Sequence, residues 1–220
     1  MSSDALIRGY AEICSEFVTF YDTMRRLLRE EGHDDLVKGR AIVYSDLIYK
    51  PDFLFIGFNP NGWMAEDLNP LKEFEYIAME DCGDGANSLS RQTRELFKET
   101  KYYDRFSKAM KTNLFYYGTR NVKDFHKVTT VLNEHGINPY SYAFDWTRKF
   151  INLIQPKVIV CEGKIVHDKL AECYGAQFNW QGNHGSGSLL GSIAVISYAR
   201  LFSTIMDKEA VVEAVNKLVL

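Results

Sequence analysis

Four short segments of the chain are apolar almost without interruption. They cover residues 53–56, 114–117, 157–161 and 192–197. A strand without polar alternation is buried on both faces, as the strands of parallel sheets are. Helical patterns lie between these segments, at about 88–110, 122–134, 144–154 and 164–173, with a last one near 207–219. This alternation predicts a three-layer α/β/α fold around a central, mostly parallel four-stranded sheet.

A long amphipathic helix precedes these segments. Apolar residues recur at intervals of three and four from Leu6 to Leu28, and Gly32 marks the end of the pattern. No internal repeat or low-complexity linker divides the chain. We therefore expect one domain over residues 1–220, with residues 1–40 as its N-terminal helical extension.

Composition excludes several classes of protein. Of the 220 residues, 46% are apolar and 14% aromatic, so the chain can bury a core and is not intrinsically disordered. Its four cysteines contain no C-x-x-C pair, which predicts reduced structural thiols, no metal and no cofactor. The N-terminus lacks the features of a secretory signal, and no segment has the roughly 18 apolar residues of a membrane span. We therefore expect a cytoplasmic protein that does not bind membranes.

The net charge of −3 hides an uneven distribution. Residues 91–127 contain ten Lys or Arg and four Asp or Glu, a local charge of +6, which leaves −9 for the rest. Six of these cations are spaced three or four residues apart: Arg91, Arg94, Lys98, Lys101, Arg105 and Lys108. On one continuous helix they share a face that can bind a phosphate backbone. The alternative is a solvated helical face without a partner.

Ligands of open parallel sheets bind beyond the carboxyl ends of the strands, so the loops after the apolar segments are the candidate sites. The loop at 57–62 reads G-F-N-P-N-G, and its Asn59 can orient a water molecule or bind a polar ligand. The alternative is a plain Asn-Pro turn. Gly163 and Lys164 open a predicted helix whose first amide groups suit a phosphate.

A glycine- and serine-rich segment offers another candidate phosphate site. Residues 182–188 read G-N-H-G-S-G-S, and small or hydroxyl residues such as Ser186 and Ser188 can cradle a phosphate. The same composition is equally typical of a flexible surface loop.

Together, four segments between about residues 50 and 206 resemble the uracil-DNA glycosylase superfamily. The G-F-N-P-N-G loop is similar to the first glycosylase motif, in the G-x-N-P-G form of the mismatch-specific branch. T-N-L at 112–114 resembles the strand segment whose asparagine reads the flipped base. Q-P-K-V-I-V-C-E-G at 155–163 is similar to the later strand that ends near a phosphate contact. Y-A-R-L-F-S at 198–203 stands in the place of the second motif, H-P-S, and of the loop that wedges into the duplex.

This resemblance implies a partner and a set of roles. The protein would bind DNA, extrude a damaged or mismatched base and hydrolyse its N-glycosidic bond. Asn59 would position the water, Tyr198 would assist at the second motif, and the base would contact Asn113, Phe58 and Trp63. The implied phosphate contacts are Gly163, Lys164, Ser186, Ser188, Arg200 and Ser203, together with Arg91, Arg94 and Lys98.

The sequence departs from the family pattern at both motifs. Asn61 stands where the mismatch-specific branch has glycine, and Tyr198 and Arg200 replace the histidine and serine of the second motif. Three functions therefore stay open: a DNA glycosylase, a catalytically inactive member that binds DNA or a nucleotide, and a small-molecule nucleotide or nucleoside enzyme. The missing histidine favours the second of these. The third predicts that charge reversal along residues 91–108 leaves activity intact.

Overall fold

The structure is a computed structural model that describes residues 1–60, 88–106, 108–201 and 204–220. Its helices are α1 (Ser3–Glu30), α2 (Ser88–Lys98), α3 (Tyr103–Phe106), α4 (Val122–Glu134), α5 (Pro139–Ile154), α6 (Lys164–Tyr174) and α7 (Lys208–Asn216). Its strands are β1 (Val37–Arg40), β2 (Phe53–Gly57), β3 (Met110–Asn113), β4 (Tyr117–Thr119), β5 (Val158–Glu162), β6 (Asn179–Gln181), β7 (His184–Leu189), β8 (Ile193–Tyr198), β9 (Arg200–Leu201) and β10 (Thr204–Ile205).

Six strands form the central sheet, in the spatial order β3-β2-β5-β8-β7-β6. The first four are parallel to one another, and β7 and β6 continue the sheet as an antiparallel hairpin. A group of four parallel strands is therefore present as expected, three of them at the expected segments, but the sheet has six strands rather than four. The hairpin escapes sequence analysis because its glycines and serines lack the branched and aromatic side chains that indicate a strand.

Helices cover both faces of the sheet, because the strand side chains point to alternate faces. On one face Leu54 and Ile159 join a core built with α1, α4, α5 and α6. On the other face Phe53 and Val160 join a second cluster built with α2, α3 and α7. The chain is thus an α/β protein with a mostly parallel central sheet.

The long N-terminal helix is confirmed and belongs to the main core. Ser2 caps its start by accepting a hydrogen bond from the amide of Ala5, and Gly32 follows its end with a positive φ of 71°. Phe17 and Phe20 of α1 meet Trp146 of α5 edge to face, with ring centroids 5.3 and 5.1 Å apart. Aromatic packing therefore joins α1 to the helices of the sheet.

The strand expected at 114–117 lies earlier, at β3 (Met110–Asn113). Leu114 and Phe115 leave the strand but stay beside β2, because their amides donate to the carbonyls of Gly57 and Phe58 at 2.9 and 3.0 Å. Three of the four residues of β3 are polar, so its sequence is more typical of a loop than of a buried strand.

The helix expected over 88–110 is broken, so the six cations do not share one helical face. Helix α2 ends at Lys98, and α3 starts only at Tyr103. The Thr100 hydroxyl donates to the carbonyl of Phe97 at 2.8 Å, and the amide of Lys101 donates to Asn216 of α7 at 2.8 Å. These two bonds turn the chain, and only Arg91, Arg94 and Lys98 remain on α2.

Candidate functional site

The final residues of the four parallel strands stand side by side at the carboxyl edge of the sheet. They are Asn113 of β3, Gly57 of β2, Glu162 of β5 and Tyr198 of β8, and we call them the edge row. Gly57, Glu162 and Tyr198 each lie two residues beyond a member of the second cluster, such as Phe55, so the edge row faces the same side as α2 and α7. Asn113, Glu162 and Tyr198 are all buried.

Gly57 leaves a notch in the middle of the edge row. A Cβ atom at this position would overlap with Oδ1 of Asn113 and would lie 3.3 Å from Oε2 of Glu162. Only glycine therefore lets the amide of one strand and the carboxylate of another approach each other above β2.

A buried ion pair crosses this notch. Nζ of Lys111 lies 2.7 Å from Oε1 and 2.6 Å from Oε2 of Glu162. Lys111 belongs to β3 and Glu162 to β5, and β2 lies between them. The lysine side chain thus spans β2 next to Gly57, and the pair joins the ends of two strands that are not neighbours.

Two tyrosine hydroxyls also contact the edge row. Nδ2 of Asn113 donates to the hydroxyl of Tyr44 at 2.9 Å, which leaves Oδ1 of the same amide against Gly57. The Tyr198 hydroxyl donates to Oε1 of Glu162 at 3.5 Å. Tyr44 is held in place by its own amide, which donates to the carbonyl of Lys111 at 3.0 Å.

The two residues after Gly57, Phe58 and Asn59, have side-chain contacts outside the edge row. Nδ2 of Asn59 donates to the hydroxyl of Thr119 in β4 at 3.0 Å. The ring of Phe58 packs on Phe115 and Phe125, with centroids 5.2 and 4.7 Å away. Phe58 thus packs against the main core. In these contacts neither Phe58 nor Asn59 touches the edge row.

The glycine- and serine-rich segment lies mostly in the central sheet. Ser186 and Ser188 lie on β7 and pair with Ile196 and Ala194 of β8, so backbone amides of this segment are bound within the sheet. The expectation of a loop at 182–188 is wrong, since only Gly182 and Asn183 form the turn between β6 and β7.

The other implied phosphate contacts occupy two places. Gly163 is buried with a φ of 121° at the start of α6, and the exposed Lys164 is paired with Asp168 at 2.7 Å. Arg200 begins the β9–β10 hairpin, whose Leu201 is 62% exposed. Ile205 of this hairpin packs in one cluster with Leu96 and Phe97, which brings the hairpin against α2 and its cations.

Two residues that the resemblance implies as DNA contacts, Trp63 and Ser203, lie outside the described residues. Within the described ranges no group of three or more His, Cys, Asp or Glu is arranged to hold a metal ion, and no helix is long and apolar enough to cross a membrane.

The sequence patterns do not single out Lys111 or Glu162 as candidate site residues. Glu162 directly follows a buried apolar run, and a charge at that point faces the ligand edge of a parallel sheet. The sequence does not indicate Lys111 in the same way, because the apolar pattern predicts the strand at 114–117 and not at β3.

A second buried polar contact lies on the opposite face of the sheet. Nδ1 of His167 is 2.8 Å from the hydroxyl of Ser197, and both residues are buried. Burial lowers the pKa of His167, against the opposing effect of the nearby Asp168 carboxylate. Cys161 lies beside Ser197, and burial raises the pKa of its thiol to about 12.

Comparisons with known proteins add no family. Neither a scan against protein-family models nor a search of curated proteins matches this chain. The case for a function therefore rests on the residues of the edge row and their geometry.

Proposed function

We propose that this protein is a DNA base-excision enzyme with a three-layer, uracil-DNA glycosylase-like fold. It binds a damaged or mismatched base at the edge row and hydrolyses the N-glycosidic bond. One observation carries the proposal. Gly57 of the first motif and Asn113 of the base-reading segment are far apart in sequence, yet they are direct partners at the ends of neighbouring strands.

The edge row has the chemistry that a base edge requires. A carboxamide offers one acceptor and two donors, which is enough to pair with the polar edge of a nucleobase. Asn113 is buried and its amide is held by Tyr44, so it is oriented before a ligand arrives. Base-modifying enzymes read an extruded base in this way, by hydrogen bonds in a narrow pocket.

The β9–β10 hairpin and α2 supply a surface for duplex DNA. Leu201 is an exposed apolar side chain directly after Arg200, and apolar wedges of this kind enter base steps. Arg91 and Lys98 are exposed on the neighbouring α2. A cationic helix beside an apolar tip suits a phosphate backbone next to an opened base step.

A second candidate function is binding of DNA or a nucleotide without cleavage. The Asn59 amide is bonded to Thr119, and the Tyr198 hydroxyl is bonded to Glu162. Both of the side chains that the resemblance implies as catalytic are thus engaged within the protein, which favours this candidate.

Base excision separates the two candidates. Duplexes that contain uracil, hypoxanthine, xanthine or a thymine mismatch are incubated with the protein, and abasic sites are revealed as strand breaks after alkali. We expect release of at least one of these bases by the wild type, loss of release in Asn113→Ala, and normal release by Asn152→Ala, an exposed control on α5.

The outcomes are distinct. Selective binding of a modified duplex without release supports the non-cleaving candidate. Absence of both release and selective binding contradicts base excision and DNA binding alike, and the DNA proposals are then wrong.

A further inference from the structure

The Lys111–Glu162 ion pair is exceptional in its burial. The two side chains are 10% and 1% exposed. Other ion pairs of the described residues, such as Lys149–Glu16, have well-exposed partners. Burying two charges removes their hydration, and the mutual attraction often does no more than offset that loss. Apolar residues of similar size would stabilise the same position at least as well, so stability alone does not account for the pair.

The place of the pair points to the ligand. It lies at the carboxyl edge of the parallel strands, where ligands of such sheets bind. Lys111 is two residues before Asn113 on β3 and therefore projects from the same face. Oε2 of Glu162 and Oδ1 of Asn113 both border the space above Gly57.

We propose that Lys111 and Glu162 are positioning residues for the base contact of Asn113, an inference that rests on the proposed function. The pair ties the end of β3 to the end of β5 across the Gly57 notch. Tyr44 holds the Asn113 amide at its Nδ2 atom. Together these contacts set where the amide stands relative to the notch and to a base that enters it.

The physical reason is the missing side chain on β2. Gly57 has no side chain that would separate Asn113 from Glu162, so no side chain of β2 sets their spacing. Two charged hydrogen bonds from one ammonium group fix it instead, and charge-assisted bonds are short and directional. An error of about 1 Å in such a contact can lower the rate about 100-fold.

A paired apolar replacement tests this assignment. The double variant Lys111→Met with Glu162→Leu removes both charges of this pair together, so we expect a melting temperature equal to or above that of the wild type. Excision of the preferred base should fall about 100-fold in kcat/KM. Affinity for an unmodified duplex should not change, because the exposed cations Arg91 and Lys98 of α2 are left intact. Lys149→Met with Glu16→Leu is the matched control at an exposed ion pair and should keep full activity.

A second variant guards against misfolding. Lys111→Met with Glu162→Gln keeps the shape of the acidic side chain and should show the same loss. If either folded double variant excises and selects the base as the wild type does, the pair does not position Asn113. If both variants fail to fold, the pair serves stability and the assignment is also wrong.

Failure of the inference differs from failure of the proposed function. An active wild type with an equally active double variant overturns only the positioning role. A wild type that binds modified duplexes selectively without cleavage is tested by the same variants, with the ratio of Kd values for modified and unmodified duplex as the readout. A wild type with neither property overturns both.

Discussion

At the scale of single residues, the candidate site depends on Gly57, which has no Cβ atom. Parallel strands normally place a side chain at every second position of a face, and here that position is empty. The amide of Asn113 and the carboxylate of Glu162 occupy the space. The sequence indicates a glycine in a turn motif, but it does not reveal that two other strands depend on it, because these contacts link residues far apart in the chain.

The variant Gly57→Ala should abolish the base contact with a limited loss of stability. Its Cβ would displace Oδ1 of Asn113, so we expect base excision or selective binding to fall about 100-fold. Overpacking should cost about 1–3 kcal/mol in unfolding free energy, measured by urea denaturation.

Gly187→Ala is the matched control for this prediction. A Cβ there would overlap with the ring of Phe178, at a similar crowding but on β7. It should lose stability and keep the base contact. Wild-type excision by Gly57→Ala would show that the notch has no role.

His167 should make the protein sensitive to acid. Burial lowers its pKa in the folded state below the value of about 6.5 in the unfolded chain. Well above pH 6.5 both states hold a neutral imidazole, so the unfolding free energy does not change with pH through this group. Below it the unfolded state takes up a proton that the folded state resists, and the unfolding free energy falls with the pH.

Urea denaturation between about pH 8 and pH 5 checks this. The wild type should lose stability more steeply than His167→Gln below about pH 6.5. Parallel curves would mean that His167 titrates alike in both states. The mutation itself lowers stability at all pH values, because it removes the partner of the Ser197 hydroxyl.

At the scale of elements, most apolar patterns agree with the structure, although the run at 114–117 does not, and the polar strands have no clear pattern in the sequence. The helix α1 and strands β2, β5 and β8 agree with the sequence patterns because their burial is continuous or strictly periodic. Strand β3 and the hairpin of β6 and β7 escaped because polar or small residues dominate them. The break after α2 depends on a contact with Asn216 of α7, which a local pattern does not reveal.

The β9–β10 hairpin should contribute to duplex opening through Leu201. We expect Leu201→Ala to slow excision from duplex DNA more than from a single strand, because a wedge is needed only where a base is stacked in a duplex. Stability should be unchanged, since the side chain is 62% exposed.

Leu190→Ala provides the control for this element. Leu190 is also 62% exposed but lies in the turn between β7 and β8. It should leave both substrates unaffected. An equal loss on single- and double-stranded substrates in Leu201→Ala would contradict a wedge.

At the scale of the whole molecule, the local charge of +6 does not form one stripe. Lys111 is buried beside the edge row, Lys98 is paired with Glu95, and Arg105 lies 3.7 Å from Asp52. Part of the cationic surplus thus supports the site and the fold, and part stays on the surface of α2. A sum over sequence positions does not separate these uses, because burial and pairing depend on the folded chain.

The segments that carry the resemblance lie close together in the fold. Segments that resemble separate glycosylase motifs end side by side at the carboxyl edge, as parallel topology requires. The roles of Asn59 and Phe58 stay predictions. To act on a base, Asn59 would have to release Thr119 and Phe58 would have to leave its contacts in the core. The edge row carries the central claim.

The most direct measurement is single-turnover release of a modified base from duplex DNA by the wild type and by Asn113→Ala. The affinity of both proteins for the unmodified duplex is measured in parallel. We predict that the wild type releases the base and that Asn113→Ala binds the unmodified duplex equally well but releases the base at least about 100-fold more slowly. Equal release by the two proteins would contradict a base contact at the edge row.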